Sequence, residues 1–182
     1  PDFDTATIKK HYPSQLVTQL QLKPITARLL IEDPPAPPAP TGTGAALPVV
    51  PAQRSGIDYL TSNGIYVVLP TTLSGVTTLN LVDWSLRPSP NTRLFTEEFL
   101  LALQAAEDGV KIQMKQDIKK RTIFLRAREF QLQLASGVTL WFDTRTPVPE
   151  QLKRLALFLR ATNMRDVSRY IDLRLAGKVV YR

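Results

Sequence analysis

Seven of the chain's fifteen prolines fall within eighteen residues, at Pro34, Pro35, Pro37, Pro38, Pro40, Pro48 and Pro51. Each proline fixes φ near −65° and removes a backbone donor, so a run this dense builds neither helix nor sheet. Gly42, Gly44 and several alanines complete a segment expected to be semi-extended and exposed. The chain is thereby divided into a short part, 1–33, and a long one, 57–182, joined by a linker or loop over 34–56. The spacings Pro34/Pro37, Pro35/Pro38 and Pro37/Pro40 match a PxxP ligand, but no basic residue flanks them.

The short part reads as two strands, 5–12 and 16–31, with a turn at Pro13-Ser14. In the second, Leu16, Thr18, Leu20 and Leu22 alternate with Val17, Gln19 and Gln21 until Pro24 interrupts. Two strands alone are marginal in water, so this piece needs further elements to be stable.

The long part opens with apolar runs at 57–60 and 65–69 around Thr61-Ser62-Asn63-Gly64. Asn-Gly at that place predicts a hairpin with a type I′ turn. Residues 71–87 hold short strands and a loop closed by Pro88 and Pro90. An amphipathic helix is predicted over 92–108: Phe95, Phe99, Leu103 and Ala106 line one stripe, Glu97 and Glu98 suit its first turn, and Gly109 supplies a stop. Strands are expected at 110–116, 122–128, 130–134 and, past Ala135-Ser136-Gly137, 138–142. A second helix over 149–162 turns Leu152, Leu155, Leu159 and Thr162 inward. Strands at 170–175 and 178–181 end the order. The class is α+β, a largely antiparallel sheet with two helices on one face.

Chemistry is sparse. There is no cysteine, and His11 is the only histidine, so thiolate sites and His-based metal or relay constellations have no second member. No Gly-x-Ser-x-Gly elbow and no Gly-x-x-x-x-Gly-Lys loop occurs. No catalytic residue, metal site or cofactor is assigned, and Trp84 and Trp141 read as packing residues. A binding module fits better than an enzyme. Residues 1–60 are balanced in charge, whereas 61–182 carry eighteen basic and eleven acidic side chains. That surplus favours an anionic partner, whether an acidic protein, a phospholipid face or nucleic acid, and a basic nucleic-acid-binding domain is the alternative to a protein-binding one.

The surplus is densest toward the end. Residues 145–182 hold nine basic side chains against three acidic. In Tyr170-Ile-Asp-Leu-Arg-Leu175, alternation puts Ile171, Leu173 and Leu175 on one face and Tyr170, Asp172 and Arg174 on the other. Ala176-Gly177 breaks the run before Lys178-Val-Val-Tyr181. Two readings fit: a terminal hairpin that only closes the sheet, or an edge that templates a partner strand. In the second reading Tyr170, Asp172, Arg174, Leu175, Gly177, Lys178, Val179, Val180 and Tyr181 form the partner-binding site. Tyr181 then supplies apolar contact, Arg174 and Lys178 charge, and Val180 an N–H for the new ladder.

The phrases Tyr170-Ile-Asp-Leu-Arg174 and Gly177-Lys-Val-Val-Tyr181 resemble the end of the extracytoplasmic part of FtsQ/DivIB, the bacterial cell-division family. The helix "TRLFTEEFLLALQAAED", the hairpin "LASGVTLWFD" and the helix "PVPEQLKRLALFLR" stand where that family's β domain would place them. "IKKHYPSQLVTQLQLKPITARL" resembles the last strands of its POTRA domain, and "YLTSNGIYVVL" the hairpin that opens the β domain. The resemblance implies POTRA strands over 1–33, a β domain over 57–182 and no catalysis. It implies a bitopic protein of the cytoplasmic membrane, at the division site, with these domains on the periplasmic side. The membrane span is expected upstream of Pro1, since no run of about twenty apolar residues lies within the chain. The implied partners are divisome proteins of the FtsB (DivIC)/FtsL type. The proline-rich insert and the absence of the first POTRA strand and helices depart from that pattern.

Overall fold

The computed structural model describes residues 3–11, 15–32, 56–82 and 88–182, with side chains from Lys23 onward. The proline-rich segment, the Pro13-Ser14 turn, Trp84 and the His11 side chain lie outside the described residues.

Strands β1 (Phe3–His11) and β2 (Gln15–Leu22) pair antiparallel as a separate two-stranded sheet. Lys23-Pro24 ends the hairpin, and β3 (Ile25–Glu32) enters a second, nine-stranded sheet. Its other members are β4 (Ile57–Thr61), β5 (Tyr66–Leu69), β6 (Thr77–Val82), β7 (Ile118–Phe124), β8 (Glu129–Leu134), β9 (Thr139–Asp143), β10 (Tyr170–Asp172) and β11 (Val180–Tyr181). Their spatial order is β11-β10-β9-β8-β7-β6-β3-β4-β5. Strand β3 thus lies between β6 and β4, and the large sheet draws on both sides of the proline-rich segment.

The sheet is mixed rather than largely antiparallel: β3/β6, β6/β7 and β9/β10 run parallel. Two of these pairs are consequences of the helices. A helix α1 (Glu97–Met114) joins β6 to β7 and a helix α2 (Val148–Ala161) joins β9 to β10. Each carries the chain back along the sheet before the next strand starts, so that strand returns parallel to its neighbour.

Register shows which face the helices cover. Phe130 opposes Phe142, and Leu140 opposes Ile171, which opposes Tyr181, so all five share a face. Phe99 of α1 meets Phe130 edge-on at 6.1 Å, and Phe158 of α2 meets Tyr181 at 5.0 Å. Both helices therefore pack on that one face. Leu103, Ala106 and Val110 from α1 and Leu155 and Phe158 from α2 join Leu132, Leu134, Leu140, Phe142 and Ile171 in the core.

Helix α1 starts later and runs further than its pattern predicts. The Thr96 side chain accepts the Phe99 N–H and caps the start. The helix then continues through Gly109 and takes up residues 110–114, where the sequence pattern predicts strand. Gly109 is the close approach of the two helices: a Cβ there would lie 2.3 Å from Leu152 Cδ1. The stop lies instead at Lys115, which adopts φ 52° and donates its backbone N–H to the Lys111 carbonyl.

The 57–69 hairpin forms, but not through a type I′ turn. Gly64 has φ 80°, whereas Asn63 is not left-handed. The Gly64 N–H donates to the Thr61 carbonyl and the Thr61 N–H to the Ile65 carbonyl. This is a three-residue loop with a left-handed glycine at its end. The Thr61 hydroxyl contacts Asn63 Oδ1 at 2.6 Å, holding the asparagine on the turn's inner side. Among the described residues no helix is long and apolar enough to cross a membrane.

Candidate functional site

A nine-stranded open sheet has two edges, and the chain treats them differently. At the β5 edge the outward backbone groups of Tyr66 are already paired. Its N–H donates to the Thr92 carbonyl at 2.9 Å, and its carbonyl accepts the Asn91 N–H at 2.7 Å. Pro70 follows the strand and has no donor to offer. That edge is closed at Tyr66, whereas alternation also turns the Val68 N–H and C=O outward, and these have no backbone partner among the described residues.

At the other end β11 pairs with β10 only. Arg182 and Tyr170 exchange both backbone bonds, Arg182 N–H to Tyr170 O at 3.1 Å and Tyr170 N–H to Arg182 O at 3.3 Å. Antiparallel pairs alternate, so Ile171/Tyr181 is a non-bonded pair and Asp172/Val180 a bonded one. The N–H and C=O of Val180 consequently face β10, and those of Tyr181 face away from the sheet. The donor and acceptor open to an added strand are Tyr181's, which corrects the expectation that Val180 supplies that N–H.

The predicted site residues divide into three groups. Val180 and Tyr181 form the edge, with Tyr181 on the helix side packed against Phe158 and Val180 on the opposite face. Leu175, Gly177, Lys178 and Val179 form the turn before it: Gly177 has φ 73°, and the Lys178 N–H reaches the Leu175 carbonyl at 3.4 Å. Leu175 is exposed rather than in line with Ile171 and Leu173, because the strand ends at Asp172. Tyr170, Asp172 and Arg174 lie within or beside β10, one strand in from the edge.

Arg174 is not the solvent-facing charge that alternation implies. Its guanidinium grips Asp172 in a two-point fork, Nε to Oδ1 at 2.9 Å and Nη2 to Oδ2 at 2.6 Å. A third donor, Nη1, bonds Glu129 on β8, and the Arg174 backbone N–H bonds Asp172 Oδ1 at 3.0 Å. The guanidinium carbon lies 4.4 Å from the centre of the Trp141 ring, and Phe124 stacks on Trp141 at 5.4 Å. All of this lies on the sheet face opposite the helices. Sequence reasoning does not find Glu129, Trp141 and Phe124, whose partners are 45, 33 and 17 residues away by chain number. By contrast Arg165, Arg169, Lys178 and Arg182 make no ion pair among the described residues. The terminal edge keeps its positive field through them.

Burial pushes the Asp172 carboxyl up, but the Arg174 side-chain and backbone bonds and the guanidinium charge together hold it below the usual carboxylate range. The Asp172 hydrogen bonds raise Arg174 further above its already high ordinary value. The folded Asp172 pKa lies below the unfolded one, so its contribution is present above the usual carboxylate range and is lost as pH falls through the depressed value. Melting curves of wild type and Asp172→Asn should therefore differ most near neutral pH and draw together as pH falls through the usual carboxylate range and below it. A gap that does not narrow as pH falls through that range would show that the carboxylate charge carries none of it.

Among the described residues no group of three His, Cys, Asp or Glu side chains is placed to share a metal ion. The chain matches no family model and no curated protein.

Proposed function

We propose that this chain is a non-catalytic binding module of the FtsQ/DivIB type, which recruits an acidic partner segment by strand addition at β11. The observation that carries the reading is the β11 edge itself, an open strand set in a field of cations. The β5 edge is capped at Tyr66 by Asn91 and Thr92 and leaves only Val68 open, while β11 offers the Tyr181 N–H and C=O beside cations that have no ion pair among the described residues. The basic field also disfavours pairing with a second copy of the same edge.

In this reading the β1–β2 hairpin is the end of a POTRA domain, β3 being an inner strand of the large sheet rather than part of that domain, and the partners are proteins of the FtsB (DivIC)/FtsL type. The protein is then held at the cytoplasmic membrane by a span outside this chain, with the sheet on the periplasmic side at the division site.

Calorimetric titration with the purified extracytoplasmic segments of the FtsB- and FtsL-type proteins of the same cell tests it. Tyr181→Pro removes the outward donor, and affinity should fall about tenfold or more, as for loss of a backbone bond with its partner left unpaired. Tyr181→Ala removes only the ring and should cost less. Lys178→Glu with Arg182→Glu should weaken binding more at low salt than at high salt. A folded Tyr181→Pro variant that binds like wild type would move the interface off β11. A wild-type protein that binds neither segment would end the cell-division reading.

A further inference from the structure

We infer that Arg174 is a positioning residue for the β11 edge: the clamp of Asp172, Glu129 and Trp141 on the sheet's solvent face sets the course of residues 173–178, which lays β11 in register. This rests on the reading of β11 as a binding edge, and it assigns a role to side chains that lie one strand or more in from that edge.

Strand β11 is anchored at its far end, where the Arg182 carbonyl accepts the Ser168, Arg169 and Tyr170 N–H groups and Tyr181 packs on Phe158, but its near end is held less closely. It is two residues long, and the backbone bond across the turn before it is a long one, 3.4 Å from the Lys178 N to the Leu175 O. Tyr181 and Val180 are 45% and 38% exposed, so neither is fully buried. Upstream, the backbone leaves β10 at Asp172, and Leu173 N–H is tied to the Trp141 carbonyl at 3.0 Å. The next residue is Arg174, and its planar fork fixes the chain direction there. Three separate strands supply its seats: Glu129 from β8, Trp141 from β9 and Asp172 from β10. Phe124 of β7 backs the Trp141 ring. The guanidinium thus ties the last strands into one plate, just where the chain turns toward the edge.

The consequence for binding is preorganisation. An edge already ordered loses less conformational freedom when a strand adds than one that must order on contact. Charge alone does not reproduce the clamp, because an ammonium cannot make the two-point fork or stack flat on an indole. This separates Arg174 from Lys178 and Arg182, whose contribution to the edge is their field.

Amide hydrogen exchange, followed by NMR on the protein without partner, tests the inference independently of the binding reading. The reporters are the Val180 and Arg182 amides, which face β10, and their partners Asp172 and Tyr170; a core amide such as Leu132 is the control. Arg174→Lys, which keeps the charge, and Glu129→Gln, which keeps the shape, should each speed exchange at the reporters about tenfold while leaving Leu132 within twofold. Lys178→Gln should leave all of them unchanged. Reporters that stay within twofold of wild type in both clamp variants would overturn the inference, as would equal acceleration at Leu132, which signals general destabilisation. Faster reporter exchange combined with unchanged partner affinity for Tyr181→Pro would leave the clamp standing and remove the binding role of the edge.

Discussion

Phe130→Ala is expected to cost about 3–5 kcal/mol of stability, the range for truncating a fully buried phenylalanine. Phe130 is wholly buried at the middle of the large sheet. Its ring stacks on Phe142 at 5.0 Å and receives the Phe99 edge at 6.1 Å, while Phe99 in turn stacks on Phe95 at 4.9 Å. Removing the ring opens a cavity where α1 meets β8 and β9, and it takes one partner from each of two aromatic contacts. Natural domains hold only about 5–15 kcal/mol in total, so much of the margin would be lost. Urea unfolding should show a lower midpoint with unchanged slope, and the melting temperature should fall by about ten degrees or more. A loss under about 1.5 kcal/mol would mean that the site collapses to fill the space, and that the aromatic cluster is not the keystone of the helix–sheet contact.

Gly64→Ala should rank next and should exceed Gly109→Ala, although both glycines sit at close approaches. At Gly64 a Cβ would lie 2.0 Å from the Phe95 carbonyl oxygen, and the backbone there has φ 80°. The obstacle is main chain, and the same segment is pinned by the Leu94 N–H to the Gly64 carbonyl at 2.8 Å. A left-handed alanine costs of order 1 kcal/mol by itself, and displacing the Phe95 entry to α1 adds to it, for a total of about 2–4 kcal/mol. At Gly109 the obstacle is the end of the Leu152 side chain, which can rotate. Alanine there also gains about 1 kcal/mol of helix propensity, which offsets part of the clash. Chemical denaturation of the two variants gives the comparison. Equal losses, or a larger loss at Gly109, would show that the helix crossing is more rigid than the Gly64–Phe95 contact.

Gly64, Gly109 and Arg174 illustrate what is legible in the residues and what is not. Asn63-Gly64 signals the hairpin correctly, because a tight chain reversal is a local event. Its turn type is not legible, since Asn63 is held by the Thr61 hydroxyl and Gly64 by the incoming Phe95 segment. Gly109 reads as a helix stop on propensity alone, whereas packing against Leu152 carries the helix another turn and a half to Met114. Arg174 reads as a surface charge by strand alternation. Its partner Glu129 is 45 residues away, and no local pattern announces such a pair.

The amino-acid sequence by itself determined the kinds of element and much of their order. Alternation marked Ile171 and Leu173 as residues of a buried face, and helical spacing marked Leu103 and Ala106 as the inner stripe of α1. These are properties of neighbours along the chain, written in periods of two and 3.6 residues. The tertiary structure alone decided the rest: the parallel pairings after each helix, the insertion of β3 between β4 and β6, and the capping of the β5 edge at Tyr66. Those outcomes depend on which distant strands meet and on which side chains fill the space between them. Strand pairing is a long-range bond between backbones that are chemically alike, so its partner is chosen by burial and geometry of the whole sheet rather than by any short stretch of residues.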